Sequence, residues 1–399
     1  MILELTKKGM QKCFTMVLIA SATLLITSVV ISRSGHAVEN SKEVVSRIRE
    51  QCEAILYQAS RNENAFIRSA AYRSAGESGD PELIPILKQG TEDVYPTARQ
   101  FALKGLRFIS PKEAVASAEK MIGDSDIWVR SLAIETLGEE GGSEFVQIIE
   151  EYLKDPDHTV RLSAAEALVK LGHENYLSFL IEYIDHTRLR KEAISRLGSL
   201  THLEAKKKIL EMLNDPDPQT IYYALKALKK HSSIKPVPKL RELIHHSHPS
   251  VRKEAVGVMG GLQTEGTEAL LQGVCSDGDA MVRLAAAVAL YRLNSKACRA
   301  EFARALKNPD YGVRSASARI LGKVDLPGRG RLLVRAIGDE NVRVRSAAVR
   351  AVGMMGGPQA LPLLLKVLRD PQEVIRAYAA GNLMKLLMVH ATQSASKNF

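Results

Sequence analysis

The chain has 399 residues, a formal charge of +10, 25% charged side chains and only 5% aromatics. Length alone would allow about two or three domains, but a single tryptophan, Trp128, and few rings argue against a strand-rich fold. Alanine, leucine and valine recur instead, as in helices packed through small and aliphatic side chains.

Lys7, Lys8 and Lys12 precede a stretch from Cys13 to Ser32 that carries no charge. Its length matches the ~20 residues needed to cross a ~30 Å hydrocarbon core. It exceeds the ~7 to 15 residues usual in a cleaved leader, yet Gly35-His36-Ala37 follows it in the small-x-small pattern of a cleavage site. Signal anchor and signal peptide both stand for residues 1–37. Either one leaves the lysines on the cytoplasmic side and sends the rest of the chain across the membrane. Cys13 begins the apolar run, whereas a lipoprotein cysteine would follow it. Beyond it stand Cys52, Cys275 and Cys298, an odd number from which no disulfide framework is expected.

From there a pattern recurs: acid or amide, two variable residues, aliphatic, Arg, two variable residues, Ala, three variable residues, Leu. Clear copies are Asp126 to Leu137, Asp157 to Leu168, Asp279 to Leu290 and Asp310 to Leu321. With the arginine as marker, the positions are 68, 99, 130, 161, 190, 221, 252, 283, 314, 345 and 376. Every interval is 31 residues except the 29 from Arg161 to Arg190. Three residues after the marker comes alanine or serine, and four further on alanine or a larger aliphatic residue. These lie on one helical face, the small position admitting a neighbouring helix and the larger one filling the layer between units.

The acid or amide four residues before the marker is placed to cap a helix. Pro156, Pro216, Pro309 and Pro371 precede that cap and end the previous helix. Each unit therefore reads as helix A, tight turn, helix B, for example Pro81 to Gln89 with Pro96 to Phe108, and Glu144 to Leu153 with Thr159 to Leu171. Gly138, Gly172, Gly198, Gly260, Gly322 and Gly353 are expected to end B helices in a left-handed conformation.

These copies resemble HEAT repeats, in particular the short kind first associated with phycobilisome-lyase proteins, over roughly residues 42 to 390. The resemblance implies an all-α fold: an α-solenoid of about eleven two-helix repeats over 38–390, behind one N-terminal hydrophobic helix and ahead of a polar tail, 391–399. It also implies a ladder of acid and arginine joining adjacent units. Arg130, Arg161, Arg252, Arg283, Arg314, Arg345 and Arg376 are thereby structural markers. Ile221 replaces the arginine in the sixth copy and Ala98 weakens the second, so the ladder is expected to be interrupted or distorted there.

The resemblance says little about activity. HEAT-like deoxyhypusine hydroxylase holds two irons with several His-Glu pairs, and this chain has one, His173-Glu174. HEAT-like DNA glycosylases surround a flipped base with aromatics, which Trp128 lacks. Lyase activity needs a cytoplasmic pigment protein, against the apolar leader. His245, His246 and His248 form a local cluster of metal-capable side chains, expected to be a solvated turn. No Gly-rich phosphate loop, Gly-x-Ser-x-Gly or zinc-protease motif occurs, and no cofactor, metal or catalytic residue is expected.

Charge distribution points to binding. Residues 38–220 hold 23 Lys and Arg against 31 Asp and Glu, and residues 221–399 hold 28 against 13. Five residues after the marker, on the concave face that B helices line in such solenoids, stand Glu135 and Glu166, then Lys226, Arg319 and Arg350. With Arg329, Arg331 and Arg335, these cations are the expected binding residues for an acidic protein, an anionic envelope polymer or a lipid surface. Nucleic acid would fit the charge but not the compartment. The leading expectation is a protein-binding scaffold on the non-cytoplasmic side of a membrane, the alternative an enzyme or enzyme accessory subunit with a ligand in the concavity. Met384, Leu386, Leu387 and Met388 make the C-terminal helix, Val374 to His390, apolar, so end-on association with a partner or a second copy is a further expectation.

Overall fold

A computed structural model of the protein describes residues 41–395, apart from 231–236, 263–265 and 358. The apolar segment 13–32 and the cleavage-like Gly35-His36-Ala37 lie outside the described residues. Among those described there is no strand, and no helix is long and apolar enough to cross a membrane. Eleven helix pairs follow one another, from Ser41–Ser60 with Ala65–Ser78 to Ala360–Val367 with Glu373–Ala395. The last helix enters the stretch expected to be a polar tail.

Most turns between A and B are built alike. Asn64, Asp126, Asp157, Asp217, Asp279, Asp310 and Asn341, four residues before the marker position, accept an N–H from the first turn of helix B. This satisfies a donor the helix leaves unpaired. The ladder uses a different acid, six residues before the marker. Arg130 reaches back to donate to the carbonyls of Asp124 and Ser125 in its own turn and forward to Asp155 in the next, at 3.1 Å. Arg68–Asp93, Arg99–Asp124, Arg190–Asp215, Arg252–Asp277, Arg314–Asp339 and Arg345–Asp370 repeat the bridge, at 2.6 to 3.7 Å. The second rung is intact. Buried Ala98 packs in the aliphatic place without disturbing Arg99, a correction to the expected distortion.

Three rungs are missing. Ile221 faces a turn that carries His246 in place of the aspartate, as its sequence foretold. Arg161 meets Tyr183 Oη at 3.4 Å and His158, because the unit after it is the short one and has Ile184 at the acid's place. Arg283 finds Asn308 there and turns to Glu301, at 3.2 Å. Packing between successive B helices is loosest at Arg161 and Arg283, the first and last of these sites along the chain. There too the hydrophobic core divides: one cluster spans Leu162 to Leu290, and the other takes in the first and last described repeats.

Glycines hold the B helices close. A Cβ at Gly138, Gly198, Gly260 or Gly322 would come within 3 Å of Ala167, Ala227, Ala289 or Ala351 of the next helix. Of the glycines expected to be left-handed, only Gly172 is, with φ 95°. The others are needed for lack of a side chain.

Successive B helices pack together while A helices hardly touch, which puts B helices on the inside of the curve. The curve closes. Helix Glu373–Ala395 lies against both helices of the first repeat, and a Cβ on Gly381 would stand 2.5 Å from the Ser74 carbonyl oxygen. Arg350 holds Glu77 with two hydrogen bonds, one of 2.8 Å. Asn62 takes the acid's place in the first turn and donates to Glu373, which pairs with Arg376 at 3.4 Å, a substitute rung across the seam. The apolar residues expected to seek a partner are covered from within: Met384 and Leu386 are buried, and Arg49 meets the Met388 sulfur at 4.0 Å. The solenoid is a ring.

Cys275 and Cys298 are disulfide-bonded, Cα to Cα 5.7 Å, across the junction of repeats 8 and 9. This corrects the expectation of no framework. Cys52 is buried, and burial pushes its thiol up to about 12, which keeps it protonated and inert.

Gly381→Val should force the seam apart, giving a larger radius of gyration by small-angle scattering and a lower melting temperature. Arg350→Ala, which removes only a half-exposed ion pair, should cost about 1 kcal/mol in urea denaturation. Closing a 23-residue separation should make Cys298→Ser cost about 3 kcal/mol, read from the same denaturation curves.

The rungs also set a pH dependence. Burial would raise the Asp93 and Asp339 carboxyls, but Arg68 and Arg314 more than offset it and both are lowered; the hydrogen bond from Arg252 lowers Asp277. Carboxyls lowered in the folded state stabilise it above their unfolded pKa, near 3.8, and that stability disappears as pH falls through the folded values. Denaturation midpoints should hold steady down to about pH 5 and then drop, less steeply in Asp277→Asn.

Candidate inner-wall binding surface

Residues five and nine after the marker lie on the face of helix B turned to the interior of the ring. In repeats 3 to 5 this wall is electrically self-contained. Arg196, one residue past the fifth place of its own unit, gathers Glu135, Glu166 and Glu192, the last two at 3.0 and 2.8 Å. Burial disfavours its charge, but the three carboxylates outweigh that and raise its pKa. Lys170 binds Glu139 and Glu166 at 2.6 Å each, and Arg107 also pairs with Glu139. Glu166, expected to project into the concavity, is thus buried in an ion cluster that reaches across the missing rung of Arg161.

Repeats 6 to 9 differ. Lys226, Lys230, Arg292, Arg319 and Lys323 are exposed, and among the described residues none has an acidic partner. Lys226 lies over the rings of Tyr222 and Tyr223, 5.4 and 5.6 Å from their centroids, and Lys253 over Tyr222 at 5.8 Å. Ring faces hold ammonium groups without neutralising them, so the wall keeps its positive charge. Lys229 is committed to buried Glu254, which Lys253 also approaches at 3.1 Å.

The expected binding residues therefore separate. Lys226 and Arg319 are on the inner wall. Arg350 is occupied by Glu77 at the seam. Arg329, Arg331 and Arg335 belong to an A helix, Arg329–Ile337, on the outside, where Arg329 is tied to Asp325 at 3.3 Å and to the Val324 carbonyl. Sequence reasoning missed Arg196, whose signal was Glu135 and Glu166 at inward places of the two preceding repeats, and the tyrosine pair beside Lys226.

His173 and Glu174 lie at a turn, Glu174 3.8 Å from His202. His248 contacts Ser250, and its N–H donates to His246 Nδ1. Among the described residues no group of three or more His, Cys, Asp or Glu is placed to hold a metal ion.

Comparison with solved structures gives low-identity likenesses. Human deoxyhypusine hydroxylase matches at 20% identity and TM-score 0.32 over 62% of this chain and 98% of its own. The complex of CpcE and CpcF of phycocyanin lyase from Nostoc sp. PCC7120 matches at 18% and 0.41 over 61% and 94%. A mutant of Kap121p matches at 13% and 0.38 over 84% and 46%. No curated protein matches the chain. A family profile described as HEAT repeats matches residues 87–168, 118–198, 149–218, 207–272, 267–329 and 305–384. With well over half of its length so matched, the protein belongs to the HEAT-repeat family.

Proposed function

We propose that the ring is an interaction scaffold on the non-cytoplasmic side of a membrane, and that it holds an acidic segment of a protein partner against the inner wall of repeats 6 to 9. The observation that carries this reading is the contrast between the two halves of that wall. Acids in repeats 3 to 5 are neutralised by the chain's own arginines and lysine, whereas Lys226, Arg319 and their neighbours carry charge that nothing in the described chain answers. Cations held in a concave, walled surface focus attraction for an anionic segment. The location draws support from the lysines and apolar run that open the sequence and from the Cys275–Cys298 bridge, since disulfides persist in oxidising compartments.

Binding of an anionic surface through the whole basic half is less favoured. Arg331 and Arg335 face outward and Lys226 and Arg319 inward, so no single plane presents them together.

A fluorescently labelled oligoglutamate should bind the protein at low salt, with affinity falling as salt is raised. Lys226→Glu with Arg319→Glu should weaken it by about tenfold or more, while Arg331→Glu with Arg335→Glu should leave it nearly unchanged. Equal losses from the two pairs would refute an inner-wall site. For location, protease added to intact cells or spheroplasts should cut the ring, and protection until the membrane is broken would count against export.

A further inference from the structure

One edge of the ring carries the turns between helices A and B, and on it three consecutive repeats expose large apolar side chains: Phe66 at 56%, Val94 at 88%, Tyr95 at 46% and Trp128 at 51%. The same turns in repeats 4 to 7 offer His158, Arg188, Gln219 and Ser250 instead. Neighbouring B helices lie about 8 to 10 Å apart, so the apolar residues form a ridge roughly 20 Å long. A groove of ≈ 380 Å³ runs between the second and third turns, past Val94, Met121 and Ser125.

Each of the three turns carries a carboxylate shortly before its first apolar residue. Glu63 precedes Phe66, Glu92 precedes Val94, and Asp126 precedes Trp128. Glu63 and Glu92 are exposed and have no ion-pair partner among the described residues. Asp126 caps its helix through one oxygen, Oδ1. The turn aspartates that hold the ladder, Asp93 and Asp124, are already satisfied by Arg68 and Arg99.

We propose that Phe66, Val94, Tyr95 and Trp128 form a docking ridge for an extended protein segment that alternates apolar and basic side chains. Exposed aromatics in one row are what partner-binding surfaces use as anchors. The alternating carboxylates choose basic neighbours for those anchors and disfavour an anionic lipid surface, whose headgroups they repel. Helix Ser41–Ser60 also crosses the ring from the opposite edge, about 30 Å away for its twenty residues. Ser41, where that helix begins, therefore lies on the far side from the ridge. This surface is separate from the inner wall, and neither reading depends on the other.

Trp128 is the chain's only tryptophan, so its fluorescence reports on the ridge alone. A synthetic peptide alternating leucine and lysine should shift Trp128 emission to shorter wavelength, saturably. Phe66→Ser with Tyr95→Ser, and separately Glu63→Lys with Glu92→Lys, should each weaken that response by about tenfold. All four positions are exposed, so circular dichroism and melting should show both variants folded. Lys226→Glu with Arg319→Glu should leave the response intact, which separates this ridge from the inner wall. No shift with the peptide, an equal shift with a leucine–glutamate peptide, or a shift only with phosphatidylglycerol vesicles would each overturn the proposal.

Discussion

Closure is the constraint on which the rest of this molecule depends. In an open solenoid each repeat sets its angle to the next and the errors simply accumulate along the rod. Here the angles must sum to a full turn, because Glu373–Ala395 has to meet Ala65–Ser78 closely enough that Gly381 faces the Ser74 carbonyl without a side chain between them. Regular rungs of arginine and aspartate cannot alone guarantee this. The departures from regularity, at Arg161, Ile221 and Arg283, are where the ring can absorb the difference. The looser B-helix packing at the first and last of these, and the division of the core there, fit that role.

At each of those two joints a different device replaces the rung. Across the first, Arg196 binds glutamates from three repeats in a largely buried cluster. Charges out of water cost several kcal/mol unless paired on all sides, and the cluster meets that demand by crowding four acids and three bases together. Across the second, a covalent bond between Cys275 and Cys298 joins a helix end to the following linker, where Asn294 and Cys298 both adopt positive φ. The chain leaves the helical register at this point and is fastened again within a few residues.

How much of this could be read from sequence follows from the range of each interaction. The 31-residue marker, the small residue three later and the cap four earlier are local, and they gave the repeats and most helix bounds. The rung was legible as an arginine with an acid, but the cap at Asp157 and the bridge at Asp155 lie two residues apart and both look eligible; only coordinates show which oxygen faces which nitrogen. Gly138 and Gly260 carried an ambiguous signal, since a missing side chain serves tight packing as well as left-handed turns. Closure joins residues 273 apart at Arg350 and Glu77, and no pattern within a repeat encodes it. The apolar C-terminal helix was a real sign of an uncovered end, misread as an invitation to another molecule. The site suffered the same limit: Lys226, Arg319, Arg350, Arg331 and Arg335 look equivalent as charges, and their separation into wall, seam and exterior depends on curvature.

The seam also bears on how such a chain can change its length. A rod of stacked units gains or loses one by duplication or deletion of a 31-residue block, and the neighbours simply close up. Among the described residues the array of repeats has no free end at which to do so: the first and last described repeats are interior to the fold, each covering the apolar side of the other. Adding a twelfth unit would leave every local contact possible and still part Gly381 from Ser74, so the number of repeats is inherited as a whole.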